Sequence, residues 1–147
     1  MSGKMFKSIG TFAAGIIVTF GLSYGTDYVL RVVGVLPEKT FYVAWFLIVA
    51  VILYRTIYNS IGGYVVATLA PGHPVGRAVA IGVLGTIGSI GGAVATWNVH
   101  VGPHWYPLTL AVLSLPATWY GGNLSRRRSV KRQADALRLL TRFDSAA

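Results

Sequence analysis

A chain of 147 residues that is 54% hydrophobic, with 13 Lys and Arg against 4 Asp and Glu and a mean hydropathy of +0.60, is too apolar for an ordinary soluble basic domain. It reads as an all-α integral membrane protein, a four-helix transmembrane bundle. The absence of cysteine excludes a disulfide framework and a thiolate metal site.

The charges are segregated. Residues 1–124 carry eight charged side chains and residues 125–147 carry nine, so an apolar body is followed by a basic tail. Four apolar stretches, 9–33, 41–70, 78–97 and 105–124, are each long enough to cross a hydrocarbon layer of about 30 Å, which takes roughly 20 helical residues. Helices are expected because backbone amides in lipid find partners only within the segment, and the alternation that a barrel requires is missing.

The first span follows Lys4 and Lys7 and holds a GxxxG pair, Gly21 and Gly25. Its basic start, with Ser23 and Gly25 spaced like a cleavage site, imitates a secretory signal; we read it as a retained span, since cleavage would leave three. Asp27 and Arg31 stand one turn apart near its far end. A connector with Gly34 and Pro37 leads to the second span.

Arg55 falls in the middle of that span, where a charge costs at least ~2.5 kcal/mol and must face protein, water or a headgroup. On a helical wheel it shares its face with Tyr58, Asn59, Gly62, Gly63 and Ala67, a small and polar stripe expected to point inward. With each span centred, Asp27 lies about 9 Å above the midplane, within reach of an extended arginine. Three uses of Arg55 stay open at this point: a pair with Asp27, snorkelling or stacking on Trp119 or a tyrosine, and contact with an anion or substrate.

After Pro71 and Pro74, the third span repeats Gly82, Gly85, Gly88 and Gly91 at every third residue, and Gly88 with Gly92 makes a second GxxxG pair. Glycine is costly in a soluble helix but lets helix backbones approach closely in lipid. The expected uses are tight packing inside one bundle or a homo-oligomer built on this span. In the next connector His100 and His104 bracket Pro103; metal ligation at that spacing needs a helix, which Gly102 and Pro103 oppose, and no metal site is expected.

Beyond the fourth span, Arg126, Arg127, Arg128, Lys131 and Arg132 precede an apolar edge of Val130, Ala134, Leu137 and Leu140 at helical spacing. Such a tail is expected along the anionic inner leaflet, each basic residue gaining about 1 kcal/mol there. Lys4, Lys7, Arg77 and the tail put ten basic residues on one face, against Arg31 and Lys39 on the other, so both termini are expected in the cytoplasm and the protein in the plasma (inner) membrane. Tyr28, Tyr42, Trp45, Trp97, Trp105 and Tyr106 cluster at the outer ends, as interfacial aromatics do.

The run from Tyr58 through Ile61, Gly62, Gly63 and Tyr64 to Pro71, followed by Trp105, Tyr106 and Pro107, then Leu115, Pro116, Trp119, Gly121 and Gly122, resembles small uncharacterised bacterial four-span membrane proteins. The resemblance implies a fold and a location, and no activity.

Catalytic patterns are sparse. Asp27, Glu38, Asp135 and Asp144 are the only acidic residues, leaving no carboxylate pair within a span. There is no GxSxG elbow, no phosphate loop and no cofactor motif. Nucleic-acid binding lacks a stacking platform, since the tail offers Phe143 alone. The expected role is non-enzymatic, exerted by helix packing as a homo-oligomer or accessory subunit; the alternative is a small transporter or channel with its path past Arg55, Tyr58 and Asn59.

Overall fold

Four helices follow one another along the chain, α1 (Ser2–Val32), α2 (Trp45–Leu69), α3 (Pro74–Ala95) and α4 (Trp105–Asp144). This computed structural model describes residues 2–37, 44–69, 73–98 and 103–144, with side chains for 9–37, 44–69, 73–98 and 103–141. Lys39, Tyr42, Pro71, His100 and Gly102, singled out above, lie outside the described residues, as do the side chains of Lys4, Lys7, Arg142 and Phe143.

Three helices are long and apolar enough to cross a membrane: Ile9–Val32, Trp45–Leu69 and Pro74–Ala95. Only 17–22% of each apolar window is buried inside the chain. The remaining surface includes Ile17, Phe20, Leu53, Ile87 and Val94, all exposed, on a scale that water does not tolerate in a monomer. Meanwhile Asp27, Ser114, Thr118 and Ser125 are buried. Polar groups inside and aliphatic groups outside are the arrangement that a lipid solvent selects.

The helix ends follow local chemistry. Gly34 adopts φ +80°, where side chains with a Cβ are disfavoured, and there it closes α1. The Val35 N–H donates to the Leu30 carbonyl at 2.9 Å and the Gly34 N–H to the Arg31 carbonyl at 3.0 Å, the double bond of a Schellman turn. The turn folds Leu36 back into an apolar cluster with Ile48, Val51, Ile52, Tyr106 and Leu110. α3 starts with Pro74 in its first turn, where a missing N–H leaves nothing unpaired.

α2, α3 and α4 form a triangular group, and α1 lies outside it, against α2 and barely touching α3. Ile48, Val51 and Ile52 lie with Tyr106 and Leu110, Gly121 lies against Ser60 and Tyr64, and Thr68 meets Ser125, so α2 and α4 are parallel neighbours. α3 is antiparallel to α4, with Gly85 at Ser114 and Gly122 at Ala78. Small side chains permit this closeness: the buried ridge of α4 is Ala111, Ser114, Ala117, Thr118, Gly121, Gly122 and Ser125, at spacings of three and four.

The glycine expectations divide. An added Cβ would collide at Gly62 (Thr19 Oγ1, 2.0 Å), Gly63 (Thr118 O, 2.6 Å), Gly82 (Thr118 Oγ1, 2.2 Å) and Gly85 (Ser114 Oγ, 2.5 Å). At Gly21, Gly25, Gly88, Gly91 and Gly92 it would meet nothing within 4 Å. Among the described residues these five mediate no packing inside the chain. The reason is rotational: at about 100° per residue, a three-residue repeat turns by roughly 60° at each step, so Gly88 and Gly91 have left the face on which Gly82 and Gly85 meet α4. The closest contacts missed above are at Gly15, Gly121 and Gly122. The small-residue ridge of α4, legible as a three-and-four repeat, is the signal that leads to the last two.

α4 is uninterrupted from Trp105 to Asp144, although Pro116 lies inside it. No break separates the body from the tail at residue 125. Every described residue from Arg126 to Thr141 is exposed, and 126–144 make roughly 28 Å of helix.

Candidate functional site

The site is built where α1 and α2 cross. Asp27, three residues after Tyr24 and four before Arg31 on the last turns of α1, is 6% exposed. Its two carboxylate oxygens are divided between partners on successive residues of α2: the Tyr54 hydroxyl donates to Oδ1, and the Arg55 guanidinium donates to Oδ2 and forms the ion pair. Successive residues of one helix reach one carboxylate because they diverge by about 100° and straddle the α1–α2 seam. The guanidinium carbon of Arg55 also stands 5.9 Å from the centre of the Tyr106 ring on α4.

Tyr58, one turn after Tyr54, extends the polar seam. Its hydroxyl exchanges a hydrogen bond of 2.9 Å with Thr26 Oγ1, and its ring lies 5.6 Å from that of Tyr54. Asn59 is half-buried on α2 and makes no side-chain hydrogen bond among the described residues. Arg55, Tyr58 and Asp27 are thus brought together with Thr26, Tyr54 and Tyr106, whereas Asn59 is not part of the hydrogen-bonded set. Of the stripe below it, Gly62 meets α1 and Gly63 meets α4. Trp119, offered above as a stacking partner for Arg55, is exposed elsewhere on α4.

Tyr54, Thr26 and Tyr106 escaped the sequence reading. Thr26 and Tyr54 each precede a charged residue, and adjacency in a helix gives no warning that both members reach the neighbouring helix. Tyr106 was assigned to the interface by its aromatic character alone.

Chemically the arrangement holds charge in place. The carboxylate has both oxygens engaged and one full cationic partner, and the guanidinium is further covered by an aromatic face. Such a pair fixes α1 against α2 in one register, since a slip of one residue removes both donors at once. Further hydroxyl bonds seal the other seams: Ser114 Oγ donates to the Gly82 carbonyl at 3.1 Å and Thr86 Oγ1 to the Ala111 carbonyl at 3.0 Å, both between α3 and α4.

A second polar group sits at the opposite end of α2. Thr68 gives its proton to the Tyr64 carbonyl at 2.7 Å, so at 3.0 Å Ser125 is the donor and Thr68 the acceptor. Arg128 folds back to donate to the Tyr64 hydroxyl at 3.3 Å, its guanidinium carbon 5.5 Å from that ring. Arg126, Arg127, Lys131 and Arg132 are exposed on the extension of α4.

In the 97–104 connector, a His104 ring nitrogen is 2.9 Å from the Trp97 carbonyl, and the two rings are 4.6 Å apart. Among the described residues no three His, Asp or Glu side chains gather at one point. No family model, curated protein or solved structure matches the chain.

Proposed function

We propose that this chain is a small integral membrane protein that crosses the bilayer four times with both termini cytoplasmic, and that it acts by helix packing, as a homo-oligomer or as an accessory subunit of a larger membrane assembly. By the resemblance noted above, the membrane is taken to be the inner membrane of a bacterial cell. The fourth crossing is supported by register. α4 runs beside α2 from Tyr106 to Ser125, and its outward side over that length shows Leu108, Val112 and Leu115. A helix packed along the whole of a membrane-crossing neighbour shares its solvent.

The observation that carries the packing role is the set of glycines with nothing against them. Gly88, Gly91 and Gly92 on α3, and Gly21 and Gly25 on α1, present bare backbone to the outside of the chain. In lipid a glycine surface contributes little unless another backbone comes close to it. Gly88→Ile and Gly92→Ile are therefore expected to shift the protein to a smaller assembly with its helix content unchanged, as read by light scattering in detergent and by cross-linking in membranes. Gly85→Ile serves as the contrast, because its Cβ meets Ser114 and disturbs the fold itself. An unchanged assembly in both outer variants rejects the glycine face as an interface.

The alternative, a solute path past Arg55, Tyr58 and Asn59, has less support: Arg55 is paired with Asp27, and Tyr58 is hydrogen-bonded to Thr26. Loss of a solute flux in Arg55→Leu, with amount and assembly unaltered, would restore it. Topology is a separate measurement. Reporters fused at the two ends are expected on the same, cytoplasmic face; opposite faces exclude the four-span reading.

A further inference from the structure

The i+4 ridge of α4 that leaves the bundle reads Tyr120, Leu124, Arg128, Arg132. Tyr120 and Leu124 are exposed, at 62% and 38%, and both lie on the part of α4 that is still packed against α2. One turn further the same ridge becomes cationic. An apolar column that passes directly into two arginines has the order of a phospholipid, acyl chain first and phosphate next.

Arg128 is also held in position. Its guanidinium rests by the Tyr64 ring and gives the Tyr64 hydroxyl one N–H of the five donors a guanidinium carries. Thr68, one turn after Tyr64, is tied to the buried Ser125 of α4, which fixes the α2–α4 contact beside Tyr64. Arg132 is one turn away on the same side of α4. Arg126 and Arg127 point away from this ridge, at the angles that helical geometry gives them.

We propose that the junction between the inner end of α2 and α4 is a seat for one anionic phospholipid, with its phosphate held by Arg128 and Arg132 and an acyl chain lying along Leu124 and Tyr120. A planar guanidinium takes phosphate oxygens in pairs, and the headgroup depth follows from the apolar residues just above it. This inference rests on α4 crossing the bilayer, and it narrows the contact with anionic lipid from five basic residues to two.

The test uses the full chain purified in detergent, incubated with phosphatidylglycerol, phosphatidylcholine or inorganic phosphate, and followed by native mass spectrometry and thermal unfolding. Wild type is expected to retain phosphatidylglycerol roughly tenfold better than phosphatidylcholine, and to be stabilised by it. The R128Q/R132Q variant is expected to lose that preference, and R126Q/R127Q to keep it. R128K/R132K, which preserves charge but not the paired donors, is expected to fall between them. Equal losses in R126Q/R127Q and R128Q/R132Q overturn the seat in favour of diffuse attraction. Equal retention of the two lipids, or stabilisation by inorganic phosphate alone, overturns the lipid assignment. The failure of the four-span reading shows separately, in the terminal reporters, whatever the lipid result.

Discussion

Asp27→Leu is expected to be the most damaging single change at the α1–α2 seam, lowering stability by roughly 3–5 kcal/mol, the cost of stranding one member of a buried ion pair. Arg55 is left with a charge that it cannot lose, since a guanidinium stays protonated, and its place in the middle of α2 is too far from either helix end for full snorkelling. Arg55→Leu is expected to cost less. The carboxylate that remains can take up a proton and still accept from Tyr54. The double variant Asp27→Leu with Arg55→Leu is expected to be more stable than Asp27→Leu alone, because it leaves no unmatched charge. The measurement is a double-mutant cycle of unfolding in bicelles. Additive single effects would show that the two side chains do not act as a pair.

The second large effect is expected at the α2–α4 contact. A Cβ at residue 121 would stand 1.9 Å from the Ser60 carbonyl oxygen and 2.9 Å from the Tyr64 nitrogen; at residue 63 it would stand 2.6 Å from the Thr118 oxygen. All three obstacles are backbone, so no rotamer change relieves them and the helices must separate. Gly121→Ala and Gly63→Ala are each expected to cost about 3 kcal/mol, the upper end for overpacking, and to lower the midpoint of thermal unfolding clearly. Separation also lengthens the bond between Ser125 and Thr68 and loosens the placement of Arg128 on Tyr64. Gly21→Ala and Gly88→Ala are the controls, neutral for the monomer because nothing lies within 4 Å. A Gly121→Ala protein as stable as the Gly88→Ala protein would mean that the two backbones are not in contact.

These two sites separate what one dimension of information holds from what it lacks. Arg55 was conspicuous in the sequence because a cation in an apolar run is expensive wherever it points, and Asp27 followed as the one acidic residue at a reachable depth. Tyr54 and Thr26 carried no such cost, and only the crossing of α1 and α2 recruits them. Among the glycines, composition marked that close approaches exist. A repeat of three residues drifts around the helix, however, so the same pattern spread from the α4 contact at Gly82 and Gly85 to the open surface at Gly88 and Gly91.

By itself the sequence determined the solvent and the secondary structure: runs of about twenty apolar residues have one stable state in lipid, which is helical, and Gly34, Pro37, Pro71, Pro74 and Pro103 mark where those runs end. Solvent preference and helix formation are local properties, set by each segment's own side chains and backbone. Which helices are neighbours was decided only in three dimensions. The parallel contact of α2 with α4, the outlying position of α1 and the ion pair that binds it depend on steric fit between segments distant in the chain, and outward-facing aliphatic residues, alike on every helix, do not encode that choice.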